Sequence, residues 1–538
     1  MRPLIAVALL LSSALHAQEK LVESIEVRVT NVDVVVTDKQ GRPVPGLAAA
    51  DFQLFEDGKP QAITHFYEVG RAELPGSGSQ LPVTGNQQPA TITQEPLPKP
   101  RRVVLFIDNY SLHPFRRTEV LAAVDRSFDK LFRPGDQAMV VAWNRGLKVI
   151  VPFTGDPKAI REALRKYANK AGAGEPLDFD RQRVRSSIES VLQMEERGGN
   201  MSEAAAHASA LARDYAQGVY MNEKALLKAM SVMITTLAGF EGKKAMIVTS
   251  AEMPGKPGLD IFQLVDQMFG SATRNAAGTW DLAPEYESLA RQANANGVTL
   301  YMIDGSEGAR QSERSSVQFT NFQNTAHTFG LLAQMTGGMA LVRTNNFDLA
   351  LDTLANDLSA YYSLGYKPAG EQRGDRKIEV KVSNPEYRVR SRTSYVVKSS
   401  ADRAEDRIIA NAFHGQVTGD IELKVNAGMP SKHTNDRWKV PVRITFPSDI
   451  TLIPNGDVLQ GSFTVLFVVA DDDGTISSVT RRQQPVQLPK SAERALRSKP
   501  ISFTAEVVVT PGDHYISVGV VDDIADTEGF ARARIRAR

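Results

Sequence analysis

The sequence predicts the α/β class: a doubly wound, Rossmann-like domain in the middle of the chain, flanked by N- and C-terminal all-β sandwich-like modules. Three observations predict it. Between Arg101 and about residue 367, short apolar runs of strand length alternate with helical stretches. On either side of that region the hydrophobic period falls to two. Finally, the chain has 538 residues, too many for a single core. At about 150 residues per domain this length suggests three to four domains.

In chain order, residues 1–17 read as a secretory signal peptide. Arg2 supplies the positive start, Leu4 to Leu15 the apolar stretch and His16-Ala17 the small-residue end. The apolar run is too short to span a bilayer, so cleavage after Ala17 and an extracytoplasmic location (periplasmic, cell-surface or secreted) are expected. Residues 18–72 form the N-terminal β module. Ile25, Val27 and Val29 share one strand face, and Val32, Val34 and Val36 share the next. Asp38-Lys39-Gln40-Gly41 and Glu56-Asp57-Gly58-Lys59 are turns. Residues 73–100 lose all periodicity and are rich in Pro, Gly, Ser, Thr and Gln, the composition of a flexible linker.

Residues 101–398 hold the α/β domain. Its strands are expected at 103–107, 138–143, 147–151, 245–249, 298–303 and 339–342. Its helices are expected near 117–131, 157–167, 223–238, 283–296, 325–336 and 347–358. A helical insertion at about 170–222 is too long for an ordinary connection and is expected on the ligand side of the sheet. Lys377 to Val382 and Tyr387 to Val397 read as a β hairpin completing this domain. Residues 399–538 read as a C-terminal β-sandwich-like domain, with its clearest strands at 438–446, 463–470, 501–509 and 514–521.

Composition narrows the function classes. Net charge is +1, and no basic stripe is interleaved with aromatics, so no nucleic-acid partner is expected. There is no cysteine, which excludes disulfides, thiol catalysis and thiolate metal sites. The chain carries no G-x-S-x-G, no G-x-x-x-x-G-K and no H-E-x-x-H. No segment after the leader is long and apolar enough to span a membrane.

Several segments together resemble the von Willebrand factor A-related (VWFA-related) domain family of bacterial secreted proteins. They are VDVVVTDKQGRPVPGLAAADFQLFEDGKPQ, VVLFIDN, FEGKKAMIVTSAEMP, LARQANANGVTLYMIDG and LLAQMTGGMALVRTNNFDLALDTLANDLSAYYSLGYKP. The resemblance covers roughly residues 25 to 398 and is most specific in the TGG turn and the YYSLGY close. It implies a von Willebrand A-type fold flanked by β modules, and for most family members no defined biochemical activity.

The apolar strand Val103 to Ile107 runs directly into Asp108, at the carboxyl end of a strand, where open α/β sheets present their ligand crevice. The resemblance implies a metal-dependent adhesion motif, Asp-x-Ser-x-Ser, at this point. Here the frame reads Asp108, Tyr110 and Leu112, with Ser111 one residue out of register. The Thr-Asp-Gly signature of the fourth strand is replaced by Thr249-Ser250-Ala251, and no Gly-Gly-Thr loop precedes residue 223. The motif is therefore degenerate. A strand order of 3-2-1-4-5-6 places Asp108, Ser250 and Asp304 on one rim, with Glu252 just beyond; Mg²⁺ or Ca²⁺ would have Asp108, Ser250 and Asp304 as ligands. The competing reading is that Asp108 and Asp304 cap local backbone N–H groups.

Other candidates have ordinary alternatives. His113 is a possible general base, or an inert loop histidine. Asp471-Asp472-Asp473 and the set Asp522, Asp523 and Asp526 are acidic enough for calcium but lack its loop spacing, which favours solvated turns. Gly337-Gly338 reads as a helix stop. Tyr361, Tyr362 and Tyr366 are either a contact patch or buried packing. Together these readings predict an exported, non-enzymatic protein-binding, adhesion or scaffold protein with no cofactor, recognising an unidentified protein around Asp108, His113, Ser250 and Asp304 or through the insertion. The rival readings are a metal-assisted hydrolase using Asp108 or Asp304 and a purely structural envelope protein.

Overall fold

A computed structural model describes residues 7–8, 30–70, 100–168, 176–195, 200–270, 272–273, 277–306, 316–342, 346–368, 374–415, 419–434, 436–471 and 476–538. Apart from Val7 and Ala8 the leader lies outside these residues, as do Ile25, Val27 and Val29, nearly all of the 73–100 linker, and Asp472 and Asp473. The chain is mixed α/β and divides into two compact units. One comprises residues 27–231 and 242–397; the other comprises 1–26, 232–241 and 398–538.

After the two-residue β1 (Val7–Ala8), the N-terminal strands are β2 (Thr30–Thr37), β3 (Phe52–Glu56), β4 (Lys59–Gln61) and β5 (Ile63–Val69). The α/β region follows with strands β6 (Arg102–Asp108), β7 (Gln137–Trp143), β8 (Leu147–Thr154), β9 (Lys244–Ser250), β10 (Val298–Asp304) and β11 (Ala340–Leu341). Its helices are α1 (Pro114–Arg126), α2 (Phe128–Leu131), α3 (Pro157–Ala168), α4 (Pro176–Glu195), α5 (Met201–Ala238), α6 (Leu259–Phe269), α7 (Ala283–Ala295), α8 (Ser316–Thr336) and α9 (Phe347–Ser359). All six expected strands form one sheet in the order β11–β10–β9–β6–β7–β8, the anticipated 3-2-1-4-5-6 arrangement. Only the β7–β8 pair is antiparallel.

The central strands are apolar on both faces because both are covered. Val103, Leu105 and Ile107 of β6 pack with Leu121 and Val124 of α1 and Leu351 and Leu354 of α9, while Val104 and Phe106 on the other face are equally buried. Helix α6 lies outside the helices expected from the sequence. Gly258 takes φ 73° at its start, and Ile261, Phe262, Leu264 and Val265 form its buried face. The insertion comprises α4 and a single 38-residue helix, α5, which absorbs the shorter helix expected at 223–238.

Strands β12 (Tyr361–Tyr366), β13 (Asp375–Val382), β14 (Arg388–Ser391) and β15 (Ser394–Val396) complete this unit. The two segments expected as a hairpin do pair, β13 with β15 antiparallel, but within a β assembly shared with β2–β5 rather than as an addition to the six-stranded sheet. Strand β12 lies between β2 and β5 and β14 pairs with the other edge of β2, while β13 pairs with β3. The two resulting sheets, β14–β2–β12–β5 and β15–β13–β3–β4, bury Val32, Val34, Val36, Leu54, Leu364, Tyr366, Ile378 and Val380 in one core. The α/β region is thus threaded between two halves of one β assembly. Local pattern cannot reveal this, because the partners are some three hundred residues apart.

In the second unit, α10 (Ser400–His414) precedes strands β16 (Lys424–Ala427), β17 (Ser431–Thr434), β18 (Arg437–Phe446), β19 (Ile453–Asn455), β20 (Val458–Asp471), β21 (Thr480–Pro489), β22 (Ile501–Val509), β23 (Gly512–Asp522) and β24 (Glu528–Ala537). Two sheets bury Val440, Val442, Phe467, Val507, Ile516 and Ile535 between them. The region is not all-β, as the sequence had suggested. Helix α10 begins at a reciprocal Ser399/Asp402 capping box, ends at Gly415 with φ 63°, and bonds Asn411 to the buried Ser517 at 2.9 Å. No helix among the described residues is long and apolar enough to cross a membrane.

Candidate functional site

Strands β6, β9 and β10 are neighbours, so their carboxyl ends bring Asp108, Ser250 and Asp304 to one edge of the sheet, with Asp304 in register with Ser250. All three are buried: Asp108 is 2% exposed, Ser250 0% and Asp304 4%. The backbone turns tightly after β6, with Leu112 N–H reaching Asp108 C=O at 3.2 Å. This turn carries Ser111 back over the carboxylate even though its spacing departs from the Asp-x-Ser-x-Ser frame. Ser111 Oγ donates to Asp108 Oδ2 at 2.5 Å, and Ser250 Oγ donates to the same oxygen at 2.7 Å. Asp108 Oδ1 accepts from the N–H groups of Tyr110 and Ser111 at 3.2 and 3.3 Å. The hydroxyls in turn accept from Ala251 N–H (3.0 Å) and Glu252 N–H (3.3 Å).

Both oxygens of Asp108 are therefore occupied by protein donors, and burial pushes its carboxyl above the usual value against the pull of those hydrogen bonds. This donor set does not fit a divalent cation, which needs carboxylate lone pairs facing it. Among the described residues no three His, Asp or Glu side chains gather to hold a metal ion. Asp304 Oδ1 accepts from Ser306 N–H at 2.9 Å, while Gly305 N–H bonds Ser250 C=O at 2.9 Å. A side chain at Gly305 would stand 2.2 Å from Leu112 Cδ2, so this loop sits directly on the β6 turn. His113 caps α1, its Nδ1 accepting from Phe115 N–H at 3.3 Å.

The helical insertion supplies residues to this edge that sequence reasoning did not single out. Arg181 of α4 reaches Glu252 at 2.6 Å and Asp260 at 3.0 Å. Asn321 Nδ2 donates to Glu252 Oε1 at 2.8 Å. Burial works against the Arg181 charge, but Glu252, Tyr215 and Asp260 hold its pKa well above the usual value. Glu223 of α5 is buried and accepts from Tyr286 Oη at 2.9 Å. Burial, then the charge of Asp108, push its carboxyl well above the ordinary range. Asn222, the residue before it, donates to Tyr110 Oη at 3.2 Å, as does Arg145 at 2.8 Å. Glu223, Arg181 and Asp260 follow no motif spacing. For Arg181 the one local signal was a long helical insertion rich in Arg, Glu, Ala and Ser.

The remaining candidates take structural places. Asp522 accepts from the N–H groups of Thr451, Ile524 and Ala525, and Asp523 from Ser462, Thr464 and Gln483 side chains. Tyr361, Tyr362 and Tyr366 are buried, and Tyr366 Oη donates to the buried Glu56 at 2.7 Å. Gly337 takes φ 76° after α8, and a Cβ on Gly338 would lie 1.9 Å from Leu300 C=O, so this helix stop also serves a close approach to β10.

No family model and no curated protein matches the chain. Among solved structures, an aerotolerance-related membrane protein of Bacteroides fragilis is similar at 9% identity over 48% of this chain and 98% of its own, with a TM-score of 0.23. The conserved hypothetical protein BatB of Bacteroides thetaiotaomicron is similar at 12% identity over 48% and 97%, with a TM-score of 0.22. A von Willebrand factor type A protein of Catenulispora acidiphila is similar at 11% identity over 82% and 66%, also with a TM-score of 0.22. TM-scores this low do not bear on function.

Proposed function

We propose that the chain is an exported, non-enzymatic scaffold that binds a partner protein through the elements surrounding the strand-end edge of the β6–β11 sheet. One observation carries this reading: the edge itself is filled by mutually satisfied side chains, while the elements around it present bare apolar groups to solvent. Phe115 is 64% exposed at the start of α1, Phe179 62% on α4 and Met221 57% on α5. Phe179 and Met221 each lie within two residues of a side chain bonded into the edge, Arg181 and Asn222, and Phe115 follows His113, which caps α1. Binding residues concentrate on segments held by a rigid scaffold, and exposed apolar anchors flanking a fixed polar network suit protein recognition better than turnover. Photo-crosslinking residues at positions 115, 179 and 221 of the chain in intact cells should capture one common protein. Crosslinks that never exceed those from an exposed control position such as Met429 would reject the surface. Export is tested separately, by N-terminal sequencing of the fractionated protein, which should begin near Gln18.

A further inference from the structure

Strand β24 carries arginine at every second position, Arg532, Arg534 and Arg536, with Arg538 just past its end, while Ala533, Ile535 and Ala537 face the core. It is the last strand of the sheet β19–β20–β23–β24. Strand β23 pairs with one of its edges; the other takes a backbone hydrogen bond at its start, where Glu528 C=O accepts from Ile421 N–H at 3.1 Å, and β16 packs nearby without joining it as a ladder. From Phe530 onward no strand among the described residues pairs with it.

The arginines are not neutralised within the sheet. Arg532 is anchored, donating to the carbonyls of Ala412 and Phe413 at 3.1 and 2.9 Å with its guanidinium over Tyr515. The other three share one carboxylate, Asp513, at 3.0, 3.8 and 3.8 Å. Their side chains are 43%, 64% and 78% exposed. The single side-chain carboxylate of Asp513 thus does not balance the three guanidinium groups along this edge.

We propose that this edge takes an extended acidic strand of a partner protein, with carboxylates at alternate positions facing the arginines. Alternate residues of any strand repeat every ~6.8 Å. An acidic strand therefore keeps register with the ladder over several pairs, which an anionic polymer of another repeat does not. The sheet already contains one such pairing, since Asp513 is the cross-strand partner of Arg536. The guanidinium fork matches a carboxylate bidentately. A second copy of the same edge would set arginine against arginine, so self-pairing is disfavoured. Main-chain bonds give such a complex its affinity and the charge ladder its specificity. The surface lies in the second unit, so it stands or falls independently of the scaffold reading above.

The test uses the whole chain and a fluorescently labelled eight-residue peptide alternating Thr and Glu, read by anisotropy. Saturable binding that weakens with salt is expected. The Thr/Gln analogue, the isomer with its four Glu contiguous, and a version N-methylated along one edge should all bind more weakly. The pair Arg534→Ala/Arg536→Ala should weaken binding about fivefold or more, and Arg538→Ala alone about twofold, with melting temperature unchanged. Absence of saturable binding, equal binding of the contiguous isomer or of inorganic polyphosphate, or unchanged affinity in the arginine variants would each overturn the proposal. The polyphosphate result would mark a generic anion surface instead.

Discussion

Tyr286 on α7 donates its hydroxyl to the carboxyl of Glu223 on α5 at 2.9 Å, and both side chains are buried. Burial first, then the charges of Asp108 and Glu252, disfavour ionisation of Glu223. A carboxyl in that position is more stable as the acid.

Stability should therefore fall as pH rises through this group. In the unfolded chain Glu223 titrates near 4.5, and in the folded chain well above it. Below the unfolded value both states hold the proton and the contribution is complete; as pH climbs toward the folded value the folded state alone resists ionisation, and stability is lost at about 1.4 kcal/mol per unit of elevation. Glu223→Gln keeps an acceptor for Tyr286 and removes the titration. Its melting temperature should decline less steeply with pH above 4.5 than that of the parent chain. Parallel slopes would show that Glu223 is ionised in the folded protein.

The network at the sheet edge predicts indifference to metal and intolerance of losing Asp108. A cation bound only to the folded state at a hundredfold excess over its Kd adds about 2.7 kcal/mol. No such gain is expected from millimolar Mg²⁺, Mn²⁺ or Ca²⁺ against EDTA, because both Asp108 oxygens already face donors. Asp108→Ala removes the acceptor shared by two hydroxyls and leaves the N–H groups of Tyr110 and Ser111 without it in a buried place, which should cost about 2–3 kcal/mol in urea unfolding with or without metal. A melting shift of several degrees with metal, abolished in Asp108→Ala, would refute this reading of the edge.

Arg181 should be needed as a charge. Its side chain is 12% exposed, and those of Glu252 and Asp260 are 13% and 3% exposed. Removing one partner of a buried pair leaves uncompensated charge and typically costs about 3–5 kcal/mol. Arg181→Met should approach that loss, while Arg181→Met combined with Glu252→Gln and Asp260→Asn should recover most of it. Equal stability of the single and triple variants in urea melts would mean that Arg181 contributes packing alone.

The strand order of the central sheet was legible because each buried strand is a short, fully apolar run bounded by turn or helix signals, and because Asp108, Ser250 and Asp304 each end one. The chemistry at that edge was only half legible. Ser111 looked misplaced against the motif until the turn after β6 brought it back, and Arg181 and Glu223 arrive from helices whose packing no local spacing reports. Helix α10 was missed although Ser399 and Asp402 spell a capping box three residues apart. The pairing of β13 with β3 depends on alternation in two segments separated by the entire α/β region.

That last relationship predicts how the chain can be divided. The fragment 101–398 contains β12 and β13 but not their partners β2, β3 and β5. Without them, the side of Tyr362, Leu364, Ile378 and Val380 that meets Val32, Val34 and Leu54 in the whole chain has no cover. Unpaired apolar strands are aggregation-prone. The fragment should therefore show fast hydrogen exchange over 361–396 and associate at micromolar concentration. Fragment 101–360, which ends before β12 and keeps the full six-stranded sheet, should remain monomeric and protected across β6, β9 and β10. Adding residues 30–69 in trans to 101–398 should slow exchange at Leu364 and Ile378. Native-like protection of 361–396 in the isolated 101–398 fragment would show that these strands do close the α/β region on their own.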